Sequence, residues 1–411
     1  MEYKFARRVG VFGLSPIREV LKLASDPSYT SLAAGSPSSE AYPIEAIREI
    51  LNRLMTEQPE KMLQYGISEG YPPLQKALLA RMSQKYGIGR EGDGILITSG
   101  GQQGIEAFAK TFCNEGDGVI CEDPSFVSAL NAIRCYNGAR LIGIPVDEDG
   151  MRMDLLEEKL KTEKNIKFIY TIDTFQNPTG VTLSLERRKK MLELAARYDV
   201  LILEDSPYFE LRYSGQPLPS LKELDTEGRV AFCGSLSKII APGIRVGFMI
   251  APQEIIKRAT KCKQIGDVHT STLMQAVCAE FLTKYDLDAH IARICSLYRE
   301  SRDVMLEALA DIDPRVSYTR PDGGLFLWIT LPEGYSAEEL QDRMIRKGKI
   351  LAVSGPAFAA TPGRFQNCLR LNFSKPTHEE IRRSVAVLKE CVAEYLDELL
   401  QHPASVIANG G

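Results

Sequence analysis

The residues of this chain best suited to chemistry cluster around Lys238. An apolar run from Val230 to Cys233 reads as a short buried strand, and Lys238 follows it on a turn among small residues. A site that partly desolvates an ammonium lowers its pKa and leaves an amine that is nucleophilic toward aldehydes. Ser235, Ser237 and Arg245 add two hydroxyls and a guanidinium, a set that suits a phosphate ester. An aldehyde with a phosphate tail that a lysine can hold as a Schiff base is pyridoxal 5'-phosphate. The competing reading is a surface turn that happens to contain Lys and Arg.

Further stretches bear on that choice. The run Ile95–Thr98 leads into Ser99, Gly100, Gly101 and Gln102 and then into a helical pattern over Ile105–Phe112. A glycine-rich turn between strand and helix exposes backbone N–H groups at a helix N-terminus, which makes a phosphate cradle. It is not a Walker A loop, because the Lys-Ser/Thr pair is missing; the alternative is an ordinary strand-to-helix turn. Leu201–Leu203 delivers Glu204 and Asp205 to the end of a hydrophobic strand, with Tyr208 three residues on. Ligands of open α/β sheets bind at that edge. An aspartate there can pair with a protonated pyridine nitrogen, or it can cap a neighbouring helix. Asn177-Pro-Thr-Gly180 is a turn by composition, and Phe126 ends another strand, where it can stack on a planar ring or fill a gap. Arg370 interrupts an alternating strand pattern and calls for a carboxylate partner, structural or substrate.

The ordered set of these motifs resembles the fold-type I pyridoxal-phosphate-dependent aminotransferases over nearly the whole chain, and within them the α-aminoadipate and kynurenine aminotransferase group. The resemblance implies that Lys238 holds the cofactor aldehyde, Asp205 pairs with the ring nitrogen, and Asn177 and Tyr208 contact the ring oxygen. It implies that Phe126 stacks on the ring, where many relatives carry tyrosine. Ser99, Gly100, Gly101, Gln102, Ser235, Ser237 and Arg245 would hold the phosphate, joined by Tyr65 from a neighbouring subunit, so a homodimer with shared sites is expected. Arg370 would grip the substrate α-carboxylate and Gly35 would line the substrate site. Ser15-Pro-Ile-Arg18 looks like that group's mobile N-terminal helix, whose arginine can meet the substrate side chain. Arg18 would then favour a dicarboxylic amino acid such as glutamate or 2-aminoadipate, with 2-oxoglutarate as acceptor; otherwise it lies on a solvated helix face.

These residues need a scaffold, and the remaining pattern supplies one. From Pro43 onward helical patterns (Ile44–Met55, Pro73–Tyr86, Leu185–Tyr198) alternate with short runs that are apolar on both faces, such as Val119–Cys121, Leu141–Val146, Phe168–Ile172 and Val246–Ile250. Buried parallel strands with crossover helices give that signature. Seven candidate strands predict an α/β fold with a large, mainly parallel sheet over residues 44–300. Residues 1–43 read as an arm that reaches the substrate site, and residues 301–411 as a small α+β domain. The loop over Ser31–Pro37 is rich in small residues, as a close backbone crossing requires.

Bulk composition narrows the function classes. A chain of 411 residues with 25% charged residues and a net charge of −4 has no basic block to bind nucleic acid. Nine cysteines without paired spacing predict reduced thiols, no metal site and a cytoplasmic location. No apolar run is long enough to span a bilayer. Two rivals share the expected fold: a C–S lyase that uses the same cofactor, and regulators of the MocR type with a DNA-binding module in front. The start of the chain, close to the Ser15–Leu23 helical pattern, leaves no room for such a module.

Overall fold

The computed structural model describes residues 3–6, 20 and 22–401. Arg18 and most of the 15–23 pattern lie outside the described residues, as do residues 402–411.

A two-residue strand, β1 (Thr30–Ser31), runs parallel to a strand more than three hundred positions later in the chain. The large sheet is built from β2 (Asp93–Thr98), β3 (Gly118–Asp123), β4 (Arg140–Asp147), β5 (Gly150–Met151), β6 (Ile166–Thr171), β7 (Leu201–Asp205), β8 (Val230–Ser235) and β9 (Gly247–Pro252). Their order across the sheet is β2-β9-β8-β7-β6-β3-β4-β5. Neighbours from β8 through β4 pair in parallel. Only β9, wedged between β2 and β8, and the short edge strand β5 run against the rest. All seven expected strands are present, and β5 is the eighth.

The apolar runs follow from having helices on both sides. Successive side chains of a strand point to opposite faces, and here each face has its own core. Phe168, Tyr170, Leu203 and Ala231 join one cluster, while Ile169, Ile202 and Val230 join another under the helices Met153–Thr162 and Leu185–Arg197. A strand buried on both faces cannot alternate in polarity.

The long helix Leu287–Leu309 carries the first cluster onward to the C-terminal region. There β10 (Ser317–Tyr318), β11 (Phe326–Thr330), β13 (Val353–Ser354) and β14 (Cys368–Asn372) form an antiparallel sheet, with β12 (Ile350–Leu351) paired to β1. The final helix, His378–Gln401, buries Ile381, Val385 and Leu388 in the same core as Leu309 and Leu325.

Candidate active site

Because β2, β3, β4, β6, β7 and β8 point the same way, their carboxyl ends share one edge, and Thr98, Asp123, Thr171, Asp205 and Ser235 all end there. Beyond that edge lies a cavity of about 420 Å³. Lys238, Asp205, Tyr208, Asn177, Phe126, Gly101, Gln102, Ser235, Ser237, Arg245, Gly35 and Arg370 all line it, together with Phe326 and Pro242. Residues from 35 to 370 in the chain therefore converge on one space.

Lys238 stands on the turn after β8 and donates from Nζ to the Gly35 carbonyl at 2.7 Å. Burial, and then the positive charges of Arg370 and Arg245, lower its pKa from 10.5 to about 8. About a tenth of the amine is therefore uncharged at pH 7, far more than for an ordinary lysine. The Ser31–Pro37 loop makes the close crossing expected of it: a Cβ at Gly35 would come within 2.8 Å of the Phe326 ring.

The two carboxylates at the end of β7 divide the roles that the sequence left open. Glu204 accepts from the N–H groups of Leu221 (3.2 Å) and Lys222 (2.7 Å) and so caps the helix Leu221–Leu224. Asp205, on the opposite face, looks into the cavity and accepts at Oδ2 from the Tyr170 hydroxyl at 2.8 Å. Burial raises its pKa from 3.8 to about 7, the Tyr170 hydrogen bond opposes the rise, and Asp173 adds to it. No cation pairs with it among the described residues, whereas neighbouring Asp173 is paired with Arg188.

Arg370 is buried without the carboxylate partner that its strand position calls for. Its guanidinium lies against the rings of Phe326 (4.2 Å) and Phe358 (4.7 Å). It donates to the Ala33 carbonyl at 2.6 Å and to Asn177 Oδ1 at 2.8 Å, and its buried Nε has no partner. Burial lowers its pKa to about 10. A desolvated guanidinium with a donor that no protein group uses is suited to an anion. Asn177 is itself held from behind. Buried Glu122 accepts from the Thr171 hydroxyl, the Ile172 N–H and Gln176, at 2.6, 3.1 and 3.2 Å, and so braces the loop that carries Asn177.

The glycine-rich turn is a cradle, with one correction. The helix starts at Gly101 rather than Ile105, and Gly100 precedes it at φ 83°, a left-handed backbone that glycine adopts without strain. A Cβ on Gly100 would lie 2.4 Å from an Arg245 terminal nitrogen, and that nitrogen donates to the Ser99 carbonyl at 3.0 Å. Neither Ser99 nor Gly100 lines the cavity. The Ser99 hydroxyl is turned away to Asp267 (2.7 Å) and Thr270 (3.1 Å). Tyr65 is also outside the cavity, 81% exposed and edge-on to His269 at 5.8 Å. Sequence reasoning missed Tyr170, Glu122, Phe326 and Phe358. A tyrosine inside an apolar strand was the available signal, since a buried phenol needs a partner.

Among the described residues no group of His, Cys, Asp and Glu could hold a metal, and no helix is long and apolar enough to cross a membrane. The eight cysteines whose side chains are described are free thiols.

The family model for class I and II aminotransferases matches residues 27–388. An aromatic-amino-acid aminotransferase of Thermococcus litoralis is 41% identical, over 92% of this chain and 92% of that protein. The crystal structure of a multiple substrate aminotransferase from Thermococcus profundus superimposes with a TM-score of 0.92 at 41% identity, covering 96% of this chain and 98% of the other. An α-aminoadipate aminotransferase of Thermus thermophilus, complexed with N-(5'-phosphopyridoxyl)-L-leucine, matches with a TM-score of 0.88 at 36% identity, over 96% and 98% of the two chains.

Proposed function

The chain belongs to the class I and II aminotransferases, as a pyridoxal-phosphate-dependent enzyme of fold type I, and we propose that it moves an amino group between an L-amino acid and a 2-oxo acid such as 2-oxoglutarate by a ping-pong route. The observation that carries this reading is the convergence of a lowered-pKa lysine, a cation-free buried aspartate and an arginine with a spare donor on one cavity.

The residues fit the cofactor. A buried carboxylate with no cationic partner among the described residues suits a protonated ring nitrogen, and Gly101, which lines the cavity at the N-terminus of its helix, leaves a side-chain-free approach for a phosphate. Pyridoxal 5'-phosphate supplies, when bound, an electrophilic aldehyde and an electron-accepting ring. In this reading Gly101, Gln102, Ser235, Ser237 and Arg245 hold the phosphate, with Ser99 and Gly100 shaping the turn that Arg245 ties down. Asp205 would face the ring nitrogen, Asn177 and Tyr208 the ring oxygen, and Phe126 the ring face, all four lining the same cavity. Lys238, whose Nζ projects into the cavity, would hold the aldehyde, and as a free amine its Nζ would accept the substrate α-proton and give it back as general acid. Arg370 receives the substrate α-carboxylate, and the paired Phe326 and Phe358 rings keep its guanidinium oriented.

For the side chain we favour a dicarboxylic amino acid such as glutamate or 2-aminoadipate, with aromatic donors as the second class. Among the described residues the cations lining the cavity are Lys238, Arg245 and Arg370, so a second carboxylate would rely on Arg18. Exposed Tyr65, together with the exposed apolar side chains of Leu63, Ile67 and Ile265, supports a homodimer in which Tyr65 serves the other subunit's phosphate. The same reading makes residues 1–43 an arm, 44–300 the cofactor domain and 301–411 the small domain, in a cytoplasmic enzyme.

The test is the visible spectrum of the purified protein, titrated with glutamate and then with 2-oxoglutarate. Loss of the cofactor band with glutamate and its return with the oxo acid are the expected result. Pyruvate and ammonia released from cysteine conjugates, without this cycle, would favour a lyase. No band after addition of the cofactor would overturn the reading.

A further inference from the structure

Tyr170 belongs to none of the roles assigned so far, yet its hydroxyl ends on the carboxylate that faces the cofactor site. It is fully buried in β6, and its register partner on β7 is Leu203, two positions before Asp205. Its ring thus crosses diagonally to the next same-face residue of the adjacent strand, within reach of a long aromatic side chain. The hydroxyl donates to Asp205 Oδ2 at 2.8 Å. Its own acidity is suppressed by burial and by the adjacent carboxylate, so it stays a donor at any working pH. With Oδ2 engaged at the back, Oδ1 is the oxygen left for the cavity.

A buried carboxylate facing a pyridine nitrogen shares one proton with it. The proton rests on the nitrogen if the carboxylate anion is stabilised, and on the carboxylate if it is not. No cation stabilises Asp205 among the described residues, and the Asp173 carboxylate on the same edge works against it. The Tyr170 hydroxyl is the side-chain donor that favours the anion. We propose that Tyr170 is a positioning residue that keeps Asp205 anionic and turned toward the cavity, so that the shared proton resides on the ring nitrogen of the cofactor. This rests on the pairing of Asp205 with that nitrogen proposed above.

The experiment compares the affinity of the apoenzyme for pyridoxal 5'-phosphate and for its 1-deaza analogue, which has carbon in place of the ring nitrogen, in wild type and Tyr170→Phe. Wild type should prefer the natural cofactor. Tyr170→Phe should reduce that preference about tenfold, the scale of one hydrogen bond to a charged group, while binding the deaza analogue as wild type does. Unchanged analogue binding also shows that the variant folds. If both cofactors weaken equally, Tyr170 only supports packing and the proposal is overturned; it is overturned equally if the variant discriminates as strongly as wild type. If wild type itself does not discriminate, the Asp205 pairing fails and this inference falls with it. Cofactor binding that is lost altogether in wild type would instead remove the reading of the site.

Discussion

Replacing Asp205 by asparagine should strengthen the empty protein and weaken its hold on the cofactor. Burial raises the Asp205 pKa from 3.8 to about 7, so the fold favours the neutral acid. The stability that this supplies is complete below the unfolded pKa and is lost as pH rises through about 7. The gap between the two values corresponds to about 4 kcal/mol at about 1.36 kcal/mol per unit, an upper figure because water entering the cavity solvates the anion. Asparagine has nearly the same shape and no proton to lose, so apo Asp205→Asn should escape that loss. Urea denaturation of both apo proteins between about pH 5 and pH 9 reads the difference. The variant should gain on wild type as pH rises and level off above about pH 7, while its affinity for pyridoxal 5'-phosphate falls at least about tenfold. A stability gap that is flat with pH, or that widens toward acid, would refute the argument that Asp205 is a buried charge awaiting a cation.

Three further outcomes follow from the same geometry. The rate at which apoenzyme combines with pyridoxal 5'-phosphate should rise with pH and level off near the Lys238 pKa of about 8, because the deprotonated amine is the nucleophile; a rate still climbing at about pH 10, monitored by absorbance, would contradict the lowered pKa. Arg370→Lys keeps the charge but cannot donate to both Ala33 and Asn177 while staying against the rings of Phe326 and Phe358; KM for the amino acid should rise about a hundredfold with the cofactor spectrum unchanged. Gly100→Ala imposes a Cβ at φ 83° and pushes Arg245 off the Ser99 carbonyl; thermal melts of the apo form should show a loss of about 1 kcal/mol, and phosphate-dependent cofactor binding should weaken as well.

Much of the scaffold was legible because its signals are local. Runs such as Phe168–Ile172 and Leu201–Leu203 are apolar on both faces, which a strand covered by helices on both sides requires, and each appears in the large sheet. Lys238, Asp205, Asn177 and Arg370 could be singled out because ionisable or amide groups at strand ends and in small-residue turns stand out against apolar neighbours. β5 was invisible for the opposite reason: two residues, Gly150 and Met151, are too short to show a period.

The side chains' directions were settled by tertiary structure alone. Glu204 and Asp205 are adjacent acids at the same strand end, and only the sheet's placement decides which one caps a helix and which one faces the cavity. Ser99 looked like a phosphate ligand by position, but its hydroxyl turns to Asp267 on a distant helix. Tyr170 and Phe358 acquire their roles from partners 35 and 12 positions away, through β-sheet pairing and loop closure. Residue type and local pattern thus determined which groups could react and which elements carried them. Which of these groups share a cavity, and what each one touches, depended on contacts between segments far apart in the chain, and local periodicity carries no record of those contacts.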